Sequence, residues 1–384
     1  MKHYLFLLLT SCAALPPKPR ATAAAEVIEM EPLRVEVVRA PTGKAIEAYD
    51  AALLFEQAGA ALAQDHFGPA VAAYDRLLRE FPESRYHKPS LYNVGLALEG
   101  LHDYAGAIER YRALSEKYPA TRDALDALFR RGACHAELEQ WPASAEAFAR
   151  LLDYPELSVG DRVEAMGRRG LAQYKVGEAA AAERTFRDTL AYYRAHESEE
   201  RLDSDFFLAL SAYYVAEIAH DRFRALSVSL PEQHMRADLE GKAQLLLAAQ
   251  ARYVDVARIR NPAWATAAGY QMAMLYREMY DALMGAPVPP QLSGEAKQIY
   301  FEELRKMIEP LLRKAIHAHE LTQQVAERSG VDNDWVRKSN AQLDELRALL
   351  APHASGSSPP AAPPPEKVDP PPLPDSDSRP RTIL

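Results

Sequence analysis

The chain has 384 residues, of which 48% are hydrophobic and 26% charged, with a formal charge of −9 and two cysteines, Cys12 and Cys134. The acidic balance excludes a phosphate-backbone partner, because neutralising phosphates takes a basic face, so no nucleic acid is expected. No apolar run reaches the roughly eighteen residues that a membrane-spanning helix needs, and a modified Cys12 leaves Cys134 with no disulfide partner.

Residues 1–11 read as a lipoprotein signal peptide. Lys2 and His3 precede the apolar run Tyr4 to Leu9, and the small polar pair Thr10-Ser11 follows before Cys12. Leu9-Thr10-Ser11-Cys12 has the form of a bacterial lipobox, in which cleavage before the cysteine frees a thiol and an amino group for acylation. Buried methylenes contribute roughly 0.8 kcal/mol each, so several acyl chains hold a soluble domain firmly to a bilayer. Ala13, rather than Asp, after the cysteine fits onward transport to the outer membrane, so the expected location is the outer membrane, lipid-anchored and facing the periplasm. Residues 12–44, with five prolines from residue 13 on, read as a flexible tether. Within it, residues 27–38 alternate as a short strand would.

From residue 45 the pattern turns helical and repeats. A small residue followed four positions later by an aromatic occurs at Ala70/Tyr74, Ala107/Tyr111, Ser144/Phe148 and Ala182/Phe186, at intervals of 37, 37 and 38 residues. Phe67, Tyr104, Trp141 and Ala179 stand seven residues before each aromatic, at the turn between paired helices. Pro82, Pro119 and Pro155 follow three of the four copies. Ala58, Gly95, Gly132 and Gly170 share one phase in the preceding helices. Small residues let two helices approach, the aromatics fill the gap and proline stops the second helix. These are tetratricopeptide (TPR) marks, about four copies over residues 45–200, and they predict an all-α TPR superhelical solenoid of helix hairpins. Cys134 lies among small residues in the first helix of the third copy, where a packed, inert thiol is expected.

Beyond residue 200 the marks fade while helical spacing persists over 205–227, 232–260 and 262–284. There "AGYQMAMLYREMY" forms a Tyr/Met stripe expected to serve as core. Two more helices follow at 293–329 and 333–350, making 201–350 a C-terminal extension of divergent repeats and long capping helices. Pro310 is expected to kink the first of them near Lys306 and fold it over the end of the solenoid. Residues 351–384 carry eleven prolines and read as a disordered, Pro-rich tail.

No catalytic constellation is present: there is no G-x-S-x-G, Walker A, G-x-G-x-x-G or H-E-x-x-H pattern. His317 and His319 point to different sides of a helix, and Asp332-Asn333-Asp334-Trp335 lacks the glycine and distal glutamate of a calcium loop. Asp332 or Asn333 is expected to cap the last helix. No enzyme activity, metal, cofactor or small-molecule substrate is therefore expected. Function should lie in surfaces, and by phase the concave face would present Tyr92, Asn93, Leu96, Phe129, Arg130, Arg168, Leu171 and Tyr174. That set suits an extended peptide or partner helix carrying some acidic groups. The two-lysine, two-asparagine clamp of chaperone-binding TPRs is not reproduced; only Asn93 fits it.

A signal, a lipobox cysteine, a proline tether and repeats of about 37 residues resemble the bacterial envelope TPR lipoproteins. Residues 287–335 are similar to a segment of the adventurous gliding-motility TPR lipoproteins of myxobacteria and relatives, the GltE or AglT type. Four elements carry that resemblance: Pro289-Pro290-Gln291-Leu292, Tyr300-Phe301-Glu302-Glu303-Leu304, Pro310-Leu311 with Lys314-Ala315-Ile316, and Asn333-Asp334-Trp335. It implies a non-enzymatic scaffold in a trans-envelope motility complex, binding other envelope proteins and, through its anchor, the membrane. The alternative is a lipoprotein of outer-membrane β-barrel assembly or general envelope maintenance, and a cell-wall enzyme or its regulator is a third reading, disfavoured by the absence of any acid, base or nucleophile constellation.

Overall fold

The computed structural model describes residues 32–40, 43–119, 121–228, 232–288, 292, 294–350 and 369–373. The expected signal peptide, Cys12, the first part of the tether and the Pro289-Pro290-Gln291 turn lie outside them. The chain divides into two compact units, residues 1–51 and 52–384.

In the first unit, strands β1 (Arg34–Ala40) and β2 (Gly43–Tyr49) pair antiparallel, with Val37 opposite Ile46 and Val35 opposite Ala48. The sequence reading placed residues 34–44 in a tether and began the helical pattern at residue 45. The structure corrects both, since 43–49 is a strand and helix begins only at Ala51. Of the range expected to alternate, residues 34–38 lie in β1, whose pairing runs on through Arg39 opposite Lys44, and residues 27–31 lie outside the described residues. Val35, Val37 and Ile46 are each more than 60% exposed, so the hairpin buries little of its apolar face.

The second unit is helical throughout its described ordered core. Four hairpins follow the sequence period: α1 (Ala51–Ala63) with α2 (Phe67–Glu80), α3 (His87–Gly100) with α4 (Tyr104–Lys117), α5 (Arg122–Glu137) with α6 (Trp141–Leu152), and α7 (Val159–Val176) with α8 (Ala179–His196). The predicted aromatics Tyr74, Tyr111, Phe148 and Phe186 are buried, at 1% exposure or less, between the two helices of their hairpins. Each contributes roughly 1.5–3 kcal/mol by leaving water. The glycines of the preceding helices are what admit them: a Cβ on Gly95 would stand 2.5 Å from Tyr111, and one on Gly170 2.6 Å from Phe186. Cys134 is a buried thiol, and burial pushes its pKa up, which leaves it inert.

The turns repeat as strictly as the core. Asp65, His102, Glu139 and Gly177 all have positive φ, at 57°, 59°, 54° and 93°. The amide after each donates to the carbonyl five residues back: His66 to Ala61, Asp103 to Leu98, Gln140 to His135 and Glu178 to Gln173. This is one Schellman motif used four times, satisfying free carbonyls at the end of the first helix in each of these four hairpins.

Two longer hairpins continue the array, α9 (Phe206–Ala225) with α10 (Glu232–Ile259) and α11 (Pro262–Met284) with α12 (Gly294–Ser329), and α13 (Asp334–Leu350) closes it. Asn261 and Asn333 cap α11 and α13 by accepting from Trp264 N at 3.2 Å and Val336 N at 3.0 Å. Pro310 does not end α12, which runs as helix on both sides of it. From Ile308 onward α12 lies along α11 as its hairpin partner, burying Leu312, Ala315, Ala318 and Thr322. The fold over the end of the array falls instead to α13, which packs on both α11 and α12.

Candidate functional site

Seven of the eight residues assigned by phase to the concave face are packing residues. Tyr92, Asn93, Leu96, Phe129, Arg130, Arg168 and Leu171 are all buried, between 0% and 7% exposed. Arg130 Nε donates to the Tyr92 hydroxyl at 3.1 Å and its Nη1 to Glu99 at 3.2 Å, while Tyr111 donates to the same carboxylate. Asn93 Nδ2 donates to the Tyr74 hydroxyl at 3.1 Å, and burial raises that phenol to about 12. Arg168 bonds Glu164 at 2.8 Å and lies over the rings of Phe207 and Phe129. Leu96, Phe129 and Leu171 belong to the apolar clusters between neighbouring hairpins. These side chains, expected on the concave face, point instead at the neighbouring hairpins. Consecutive first helices pack so closely there that no partner reaches them.

Tyr174 is the exception, and it leads to an open cavity of about 410 Å³ on the first helices of the fourth, fifth and sixth hairpins. Helix α7 supplies Tyr174 and Lys175, just before Gly177 ends it. Helix α9 supplies Tyr213, Tyr214, Glu217, Asp221 and Arg224, and α11 supplies Tyr270, Gln271, Met274 and Glu278. Residues 207–216 of α9 are buried without a break, as a helix enclosed by α7, α8, α10 and α11 must be. Beyond them Glu217, His220, Asp221 and Arg224 follow at i, i+3, i+4 and i+7, which puts four polar side chains on one stripe. That spacing is the signal the sequence reading passed over. The Tyr/Met stripe of α11 is core as expected at Met279 and Tyr280, but its Tyr270 and Met274 also face the cavity.

The floor is aromatic and the wall ionic. Tyr174 and Tyr214 lie 5.0 Å apart, Tyr213 meets Tyr214 edge-on at 5.5 Å, and Tyr270 meets Trp335 of α13 at 5.3 Å. Arg224 reaches Glu217 at 3.0 Å, Glu278 and Asp221 at 3.2 Å and Gln271 at 3.4 Å. Burial works against the charge on Arg224, but Glu217 and Glu278 outweigh it and hold the guanidinium protonated. Burial likewise pushes the Glu278 carboxyl up, while its bonds to His220 and Arg224 more than offset this and keep it below the usual carboxylate range. Tyr174 donates to Asp221 at 2.9 Å, and its phenol is pushed up by burial first and then by Asp221 and Glu217. His220, wholly buried, sits between the Tyr253 hydroxyl at 3.0 Å and Glu278 at 3.1 Å. The cavity thus sets the half-buried Tyr174 ring and fixed charges above a floor closed by Tyr213, Tyr214 and Tyr270, an arrangement suited to binding.

His317 is exposed while His319 is buried against Ser339, Nδ1 to Oγ 2.6 Å, on the different helix sides their spacing required. Among the described residues no group of three or more His, Cys, Asp or Glu could hold a metal ion, and no helix is long and apolar enough to cross a membrane.

Residues 90–121, which hold most of α3 and all of α4, match the tetratricopeptide repeat family, a protein-interaction module. No curated protein sequence matches the chain. Among solved structures, the crystal structure of MamA protein aligns with 54% of this chain and 94% of its own at 13% identity and a TM-score of 0.38. A tetratricopeptide repeat protein of Parabacteroides merdae aligns over 77% and 98% at 13% identity and a TM-score of 0.37. The C-terminal part of a TPR repeat-containing protein of Cytophaga hutchinsonii aligns over 77% and 96% at 12% identity and a TM-score of 0.42.

Proposed function

We propose that this chain is a non-enzymatic, lipid-anchored scaffold at the periplasmic side of the outer membrane, holding other proteins of a trans-envelope gliding-motility complex. The observation that carries the scaffold reading is the open cavity shared by the first helices of three consecutive hairpins, aromatic below and charged at its wall. A rigid surface of that kind recognises an extended segment of another protein. The anchor rests on the Leu9-Thr10-Ser11-Cys12 lipobox, and the motility setting on the resemblance of residues 287–335.

Deleting the gene is expected to abolish single-cell gliding while porin levels stay normal. Normal gliding with depleted porins would instead assign the protein to β-barrel assembly. For the anchor, wild type should take up labelled palmitate and fractionate with the outer membrane, and Cys12→Ala should do neither. Equal behaviour of the two forms would remove the anchor.

A further inference from the structure

Residues 351–384 were expected to be disordered, yet residues 369–373, Asp-Pro-Pro-Pro-Leu, have a defined place against the helices. Asp369 and Pro370 line the cavity formed by α7, α9 and α11. Leu373 packs on the apolar cluster that contains Tyr213, Tyr214 and Tyr270. Residues three apart along the segment share the same burial. Asp369 and Pro372 are exposed, Pro370 and Leu373 are half-buried, and Pro371 between them is buried. Three residues per turn is the repeat of the polyproline II helix, which has no internal hydrogen bonds and turns every third side chain the same way. Rows of aromatic rings are what such helices dock against, because prolines are already ordered and lose little entropy on binding.

We infer that residues 369–373 are an intramolecular ligand of the groove formed by α7, α9 and α11, and that this groove selects short proline-rich segments in the polyproline II conformation. The inference rests on the scaffold reading for its binding surface and adds the class of segment recognised. The connection is long enough. Trp335 touches Tyr213 and Tyr270 beneath the groove, and α13 ends at Leu350, fifteen residues and about 22 Å further along the helix. The eighteen residues from 351 to 368 span up to roughly 60 Å when extended. A tether of this kind presents its segment at an effective concentration on the order of 1 mM. A segment with an intrinsic Kd of about 0.1 mM is then seated about ten to one, and a partner's segment must displace it.

The test uses the full chain and a fluorescein-labelled peptide of residues 366–376, EKVDPPPLPDS, read by anisotropy. Wild type should bind it weakly. The double variant Pro371→Asp/Leu373→Asp, whose own segment can no longer seat, should bind it about tenfold more tightly. A peptide with its prolines replaced by alanine should bind neither, and adding Tyr174→Ala to the double variant should lose the gain. The tail changes lie outside the helices, so an unchanged circular dichroism spectrum and melting temperature will show that all forms fold. Equal affinity of wild type and double variant, no binding by either, or equal binding of the alanine peptide overturns the proposal. So does a wild-type dimer that the tail changes dissociate, since the segment then belongs to a second copy. Failure here with gliding still lost on deletion leaves the scaffold reading standing with another surface, whereas tight peptide binding with normal gliding removes only the motility setting.

Discussion

Arg130 Nε donates to the hydroxyl of Tyr92 at 3.1 Å across two consecutive first helices, and both side chains are 1% exposed. The pair stands where a concave-face reading would put a partner's contacts, and it is instead a bolt between the second and third hairpins. Its guanidinium, itself buried, also serves the half-buried carboxylate of Glu99, so removing it breaks an ion pair with one buried partner. Arg130→Ala should cost about 3–5 kcal/mol, read as a fall in the urea midpoint of the N-terminal hairpins. Because the side chain is closed to partners, affinity for the 366–376 peptide should not change. Loss of binding with unchanged stability would return Arg130 to the binding face.

Gly95 and Gly59 separate close approach from helix propensity. A Cβ on Gly95 falls 2.5 Å from Tyr111 Cε1, and that ring is fully buried and cannot move aside. Gly95→Ala should therefore destabilise by about 1–3 kcal/mol, even though alanine is the better helix former. Gly59 is also helical, but its Cβ would meet only the Tyr74 hydroxyl at 3.7 Å, an ordinary contact. Gly59→Ala should stabilise by up to about 1 kcal/mol. Thermal melts of the two variants should move in opposite directions.

Much of this was legible in the sequence, and what was not has definite causes. The aromatic and glycine phases located the four hairpins because steric fit leaves a residue-type signature at a fixed period. Helices α9 to α13 were readable from apolar spacing, and the start of α13 from its Asp332-Asn333 cap, whereas the Asn261 cap of α11 emerged only in the structure. The groove was misplaced because phase specifies which side of a helix a residue occupies and not whether the next helix covers that side. At Arg130 and Arg168 it does. Around Tyr174 and Arg224 the longer α9 and α11 leave a gap. The 369–373 segment was hidden because a proline-rich run reads as disorder until an aromatic surface is there to receive it.

The turn residues make the same point and can be tested. Asp65, His102, Glu139 and Gly177 share one left-handed conformation, but only the fourth is glycine, so no residue-type signal marks the turn. A non-glycine residue in this region carries strain of roughly 1–2 kcal/mol, partly offset by the extra freedom glycine has when unfolded. Glu139→Gly should stabilise the third hairpin by less than about 1 kcal/mol, and Gly177→Ala should destabilise the fourth by about 1 kcal/mol or more. Hydrogen exchange of the Gln140 and Glu178 amides, which close the two motifs, should slow in the first variant and quicken in the second.

His319 gives the C-terminal hairpin a pH dependence of known sign. Its ring is 1% exposed, bonded through Nδ1 to Ser339 and packed edge-on to Tyr270, and burial pushes its pKa from 6.5 down to about 4. A base whose folded pKa lies below its unfolded value takes up its proton more readily when unfolded. Stability from the neutral ring is therefore complete above about pH 6.5 and is lost as pH falls toward 4. At roughly 1.4 kcal/mol per pH unit, the loss by pH 5 is about 2 kcal/mol. His319→Gln has no proton to gain, so its stability should be flatter between pH 7.5 and 5 than that of wild type. Neighbouring hairpins in a repeat array open separately, so the difference belongs to α12 and α13 first. Amide exchange in those helices at pH 7.5 and 5 checks it. Equal acid sensitivity of variant and wild type there would show that His319 is not the group responsible.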